Sequence, residues 1–139
     1  MSNVTVEINE AIVAGDVAID LAQRVLKYLD DAKLWGIFDM FSNRSLLSSI
    51  VKHSKLDDAQ IAMNEFKNAL KRFNSEINDV KVYCNVSNVN FDGWMKFFDI
   101  FCDNFFVDIY TLSKISDSKN QIERLIKEIK RTQESLRRF

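Results

Sequence analysis

The fold is most readily predicted from residues 54–80, SKLDDAQIAMNEFKNALKRFNSEINDV. In this segment, the positions expected to face a neighbouring helix recur at alternating intervals of three and four, and we call such a series a seam. This spacing is typical of a helix that packs lengthwise along another helix. Residues 113–139, SKISDSKNQIERLIKEIKRTQESLRRF, repeat it 59 positions further along. We predict long helices over residues 55–79 and 115–138. The two series are Leu56, Ala59, Met63, Phe66, Leu70, Phe73, Ile77, Val80 and Ile115, Ser118, Ile122, Leu125, Ile129, Thr132, Leu136, Phe139.

A matching aromatic stretch precedes each of these segments. Trp94 is the counterpart of Trp35 at the same shift. The tetrapeptide FDMF at residues 38–41 corresponds to FDIF at residues 98–101 after one inserted residue. Similarity at a fixed shift is typical of an internal repeat. The predicted repeat covers residues 35–80 and 94–139.

The first predicted helix, over residues 5–33, carries two adjacent apolar stripes. We expect Asn3 or Thr5 to cap it, and Glu7 and Glu10 to interact favourably with its N-terminal dipole. A helix with two apolar stripes contacts two partners, and small residues allow close approach. We therefore expect this helix to lie between the two copies. The stripes are Ile8, Ile12, Gly15, Ile19, Ala22, Leu26, Leu29 and Ala11, Ala14, Ala18, Leu21, Val25, Tyr28, Ala32.

The remaining stretches are predicted to be connections and short helices. Residues 34–53 are expected to form a corner and a short helix, with Gly36 and the cluster at 42–45 as breaks. Ser54 is then expected to cap the next helix, with Asp57 in the capping box. We predict a loop over residues 81–90 and one or two short aromatic helices over residues 91–112.

The fold class that follows is all-α. We predict a single domain, residues 1–139, built as an elongated, coiled-coil-like antiparallel bundle of three long helices, with short aromatic helices at one end. The chain has no proline and three glycines, which favours long helices.

Composition restricts the function classes. The formal net charge of -1 provides no global attraction for nucleic acid, so we expect no nucleic-acid partner. The same net charge provides no global attraction for anionic membrane, and the aromatic segment carries too many charges for a membrane-spanning helix, so a membrane partner is not expected. The N-terminus lacks a signal-peptide pattern, and cytoplasmic localisation is expected. We expect Cys84 and Cys102 to be free thiols, although a disulfide between them stays open.

Few residues are candidates for chemistry. The chain has no phosphate-binding glycine loop and no nucleophile motif, so we predict no catalytic activity and no cofactor. His53 and Asp57 are four residues apart and could hold a metal, yet the counterpart of His53 is the apolar Leu112. Asp39 and Asp99 could meet as an acid pair or cap short helices. The candidate ligand cluster is therefore Asp39, His53, Asp57 and Asp99.

The C-terminal helix carries an excess of positive charge. Its basic and acidic residues alternate, whereas the first helix carries an acidic excess. Pairing between these neighbouring helices is the expected explanation. Binding to phosphate or anionic lipid is the alternative.

Three runs resemble a family of small bacterial helical proteins. They are WGIFD at residues 35–39, IVKHSKLDDAQ at residues 50–60 and the aromatic segment from residue 97 to residue 115. The family has a W-D pair followed by glycines and a K-H-S-x-[LI]-D-x-A-Q helix start, and here other residues replace the glycines. The resemblance implies an all-helical fold and no particular activity. Asp39, His53 and Asp57 match its most distinctive motif.

The function expected from the sequence is protein–protein interaction, as a scaffold or adaptor whose heptad seams carry the contacts, with a homodimer as one form. A ligand-binding or metal-binding module at the aromatic end is the first alternative. Peripheral membrane association through Trp94, Phe105 and Phe106 is the second.

Overall fold

The computed structural model describes the backbone of residues 2–42, 45–83 and 112–139, and the side chains of residues 3–31, 58, 60–83 and 117–139. Within these ranges the protein is helical apart from residues 82–83 and 138–139, which follow the ends of two helices. The helices are α1 (Ser2–Ser42), α2 (Ser45–Lys81) and α3 (Leu112–Arg137). The prediction of an all-α helical bundle is confirmed, and the described ranges contain no strand.

α1 is longer than predicted at both ends. It continues through Gly36 to Ser42, so the corner expected at residue 36 is wrong. A glycine inside a helix costs only about 1 kcal/mol relative to alanine, which the rest of a long helix can offset. α1 also begins at Ser2, which places Glu7 and Glu10 beyond its first turn. Their predicted interaction with the helix dipole is therefore weakened.

α2 begins ten residues before the predicted start at residue 55. Ser54 lies inside the helix and does not cap it, and the separate short helix before it is absent. α1 ends at Ser42 and α2 begins at Ser45, the two ends of the predicted break. Of the predicted loop at residues 81–90, Lys81 is the last residue of α2 and residues 82–83 form a turn, and the rest lies outside the described residues. The predicted aromatic helices at residues 91–112 also lie outside them, apart from Leu112, the first residue of α3.

The predicted heptad series form the core. Their described members are buried, with one exception, Phe139, which follows α3 and is 59% exposed. Burying one large apolar side chain stabilises the folded state by about 1.5–3 kcal/mol, so these positions dominate the stability of the bundle. The buried members are Met63, Phe66, Leu70, Phe73, Ile77, Val80, Ser118, Ile122, Leu125, Ile129, Thr132 and Leu136.

α1 contacts both α2 and α3, as its two stripes predicted. The small residues Ala11, Ala14, Ala18 and Ala22 are buried, which allows close helix approach. The second stripe also includes the buried Val25.

Two polar contacts join α3 to α1. The side-chain amide of Gln133 donates hydrogen bonds to Ile12 O at 2.8 Å and to Asp16 Oδ1 at 2.9 Å. Lys119 forms an ion pair with Asp30, which lies further along α1. In the described part of the chain, none of the helices has the length and hydropathy needed to cross a lipid bilayer.

Candidate functional site

The predicted ligand cluster lies entirely where the side chains are not described. Asp39 lies within α1, close to its C-terminal end, so it does not cap the start of a short helix. His53 and Asp57 lie within α2, one helical turn apart. Asp99, Cys84 and Cys102 are outside the described residues. The meeting of Asp39 with Asp99 stays a prediction.

A different group of carboxylates comes together at the contact between α1 and α2. Carboxylate oxygens of Glu7, Glu76 and Asp79 lie within 4.8 Å of one another. Glu7 comes from the second turn of α1, whereas the other two come from the C-terminal part of α2. Three acidic groups at this separation repel one another when ionised.

This repulsion contributes to a raised pKa of Glu7. Partial removal of its carboxylate from water raises its pKa above the ordinary value of 4.5, and Glu10, Asp79 and Glu76 raise the pKa further. Among the described residues, Glu7 Oε2 and Glu76 Oε2 are buried atoms with no hydrogen-bond partner. Glu7 therefore binds a proton more readily than an isolated glutamate does.

Oxygen atoms of this kind are also ligands for Ca²⁺ and Mg²⁺. The three carboxylates supply fewer ligands than either cation prefers, and Asp79 is exposed. No sequence pattern predicts this group of carboxylates, because their proximity depends on the register between α1 and α2. Only an alignment of the two buried faces could have placed Glu7 beside Glu76.

The outer surface of α1 carries an exposed apolar stripe. Val6, Val13 and Val17 are 51%, 59% and 50% exposed. Their intervals of seven and four residues place them on one side of the helix. We call these three valines the outer stripe. It lies beside the buried Ala14, one of the small residues at the helix contacts.

A groove of about 380 Å³ between α1 and α2 continues the outer stripe. Val13, Ala14, Val17 and Ala69 supply its apolar surface. Asn9, Glu10 and Arg72 supply its polar edge. This combination of an apolar centre and a polar rim is typical of protein-binding surfaces.

Charges flank the outer stripe in a fixed order along α1. Glu10 lies among the valines and is exposed, and Arg24 and Lys27 follow on the exposed side after Val17. Arg24 Nη2 lies 3.4 Å from Asp20 Oδ2, in an exposed pair that contributes little to stability. On this face Glu10 precedes Val17 and Arg24 follows it, and the exposed Asp20 lies between Val17 and its ion-pair partner Arg24.

The heptad seams were predicted to carry the contacts with a partner. Their described positions in α2 and α3 are buried in the protein's own core, so a partner cannot reach them in the folded state. The outer stripe was missed because its three valines are separated by charged residues and resemble a solvated face.

The charge of α3 is only partly neutralised by α1. Lys119 pairs with Asp30 of α1, as expected for neighbouring helices. Arg131 pairs with Glu128 and Arg137 with Glu134, both within α3 itself. These pairs are exposed and screened by solvent.

Comparison with known proteins identifies no relative. Neither the protein-family models nor the curated proteins nor the solved structures give a match. The resemblance to small bacterial helical proteins therefore remains a prediction.

Proposed function

We propose that this chain is a non-catalytic helical-bundle protein that acts by binding another protein, as a scaffold or adaptor in the cytoplasm. The observation that carries the proposal is the outer stripe beside the groove between α1 and α2. Val13 and Val17 are at least half exposed and line an apolar groove with charged edges. Burial of such a surface against a partner is favourable.

The proposal includes an elongated, antiparallel arrangement of the long helices. Three contacts support it. Gln133, near the end of α3, reaches Ile12 near the start of α1, whereas Lys119, near the start of α3, reaches Asp30. At the α1–α2 contact, Glu7 meets Glu76. In both pairs of helices, low residue numbers on α1 meet high ones on the neighbour, which supports opposite directions.

This arrangement keeps the proposed binding surface on rigid elements. The groove is formed by two packed helices, whose buried residues include Phe66, Leu70 and Phe73. A surface held by a packed core loses little conformational entropy on binding. The two other functions, ligand binding by Asp39, His53, Asp57 and Asp99 and membrane association, draw no support from the described contacts.

The experiment compares three purified baits in an affinity capture. They are the wild type, a Val13→Ser/Val17→Ser variant and the control Val82→Ser, whose side chain is 78% exposed beyond α2. We expect the wild type and the control to retain the same stoichiometric protein, and the double variant to lose it. Identical capture by all three baits would contradict the proposal, provided that circular dichroism shows the same helix content.

A further inference from the structure

We propose that the outer stripe binds a second copy of the chain, with α1 against α1 in opposite directions and a two-fold axis near Val17. This inference rests on the proposed function and names its partner. A two-fold contact uses the same patch on both copies, so the surface must be complementary to itself. The charges and the shape of the outer stripe meet this requirement.

The charge order along α1 favours antiparallel self-pairing. Glu10 and Arg24 each lie seven residues from Val17, on opposite sides of it. An axis at Val17 therefore places Glu10 of each copy opposite Arg24 of the other, and the favourable pair occurs twice. A parallel pairing would place Glu10 against Glu10, which is repulsive. The opposite charges thus select the direction of the contact.

Small side chains around Val17 permit close approach. Ala14 and Ala69 line the groove next to Val13 and Val17, so a valine from the second copy can enter it. The apolar area that three valines supply is small beside the roughly 1,600 Å² buried in a standard protein–protein interface. We therefore expect weak, concentration-dependent dimerisation.

Sedimentation equilibrium of the purified full chain tests this pairing. Glu10→Arg and Arg24→Glu should each weaken dimerisation by about tenfold, since each introduces two like-charge contacts at about 0.7 kcal/mol apiece. The Glu10→Arg/Arg24→Glu double variant should regain most of the wild-type affinity, because the pairs are restored with exchanged signs. The matched control is Arg131→Glu, a charge reversal on the exposed side of α3, which should leave dimerisation unchanged.

Cross-linking gives a second measurement that does not depend on charge. In a background with Cys84 and Cys102 replaced by serine, Val17→Cys should form a disulfide-linked dimer readily, since the two positions meet at the axis. Val6→Cys, equally exposed but eleven residues from the axis, should not. Equal cross-linking at both positions would overturn the proposed register.

A strictly monomeric wild type at the highest concentration, or a double variant that fails to recover, would overturn the self-pairing. If the affinity capture above still retains a different protein through the outer stripe, the proposed function survives and only this inference falls. If the stripe binds neither a second copy nor any other protein, both fall.

Discussion

The side-chain amide of Gln133 occupies the space that a side chain at Gly15 would need. A Cβ atom at Gly15 would lie 2.6 Å from Gln133 Nε2 and 3.0 Å from Phe73 Cε1. Nε2 donates hydrogen bonds to Ile12 O and to Asp16 Oδ1 at the same place. Because Gly15, Phe73 and Gln133 come from α1, α2 and α3, all three helices meet here. The close contact depends on the glycine.

Gly15→Ala should destabilise the protein despite the higher helix propensity of alanine. That propensity contributes about 1 kcal/mol in favour of the variant. The new methyl group would displace an amide held by two hydrogen bonds, at a cost of about 1–3 kcal/mol, and would also press on Phe73. We expect a net loss of roughly 1–2 kcal/mol in the free energy of unfolding, measured by urea titration.

A double-mutant cycle isolates this contact. In a Gln133→Ala background the amide is absent, so Gly15→Ala should then be close to neutral or stabilising. An equal loss of stability in both backgrounds would mean that Gln133 is not the cause.

Gln133→Glu should destabilise strongly at neutral pH. The variant has nearly the same shape but places a buried carboxylate beside Asp16 and the carbonyl oxygen of Ile12, with no proton to donate. We expect a loss of roughly 3 kcal/mol, partly recovered at low pH when the new acid is protonated. Asn120→Asp, the same change at an exposed position of α3, is the control and should have little effect.

Glu7→Gln should stabilise the protein at neutral pH. The pKa of Glu7 is raised in the folded state, so its charged form costs stability above that pKa, and the cost disappears as pH falls through it towards 4.5. The wild type should therefore approach the stability of the variant as pH is lowered through this range. Urea titrations at several pH values measure the difference. Glu65→Gln, at an exposed position on α2, should show no such convergence.

Ala22→Leu should destabilise because the side chain of Ala22 is fully buried where α1 meets its neighbours. Additional methylene groups in a packed core cost typically about 1–3 kcal/mol. Gln23→Leu, the same new side chain at the next and exposed position, should change the thermal midpoint little. Equal effects at both positions would show that Ala22 is not packed as described.

The buried faces of the bundle were predictable from the sequence because the helical period encodes them directly. Alternating intervals of three and four placed Phe66, Phe73 and Leu125 in the core, where they are found. The course of α1 through Gly36 was not predictable in this way. A glycine changes helix stability only slightly, and the contacts of the complete helix decide whether it continues.

The candidate surfaces were harder to predict because they depend on how helices align with one another. The proximity of Glu7 to Glu76 follows from the register between α1 and α2, which neither helix encodes alone. The burial of Gln133 depends on the missing side chain at Gly15, far away in the sequence. The outer stripe is recognisable only after the buried stripes of α1 have been assigned.

Methyl NMR of the valine side chains reports on the outer stripe itself. We expect the Val13 and Val17 methyl signals to shift as protein concentration is raised, or when a captured partner is added, while those of exposed Val82 and buried Val25 stay in place. Unchanged Val13 and Val17 signals under both conditions, or equal shifts at Val82, would contradict the claim that the outer stripe is a protein-binding surface.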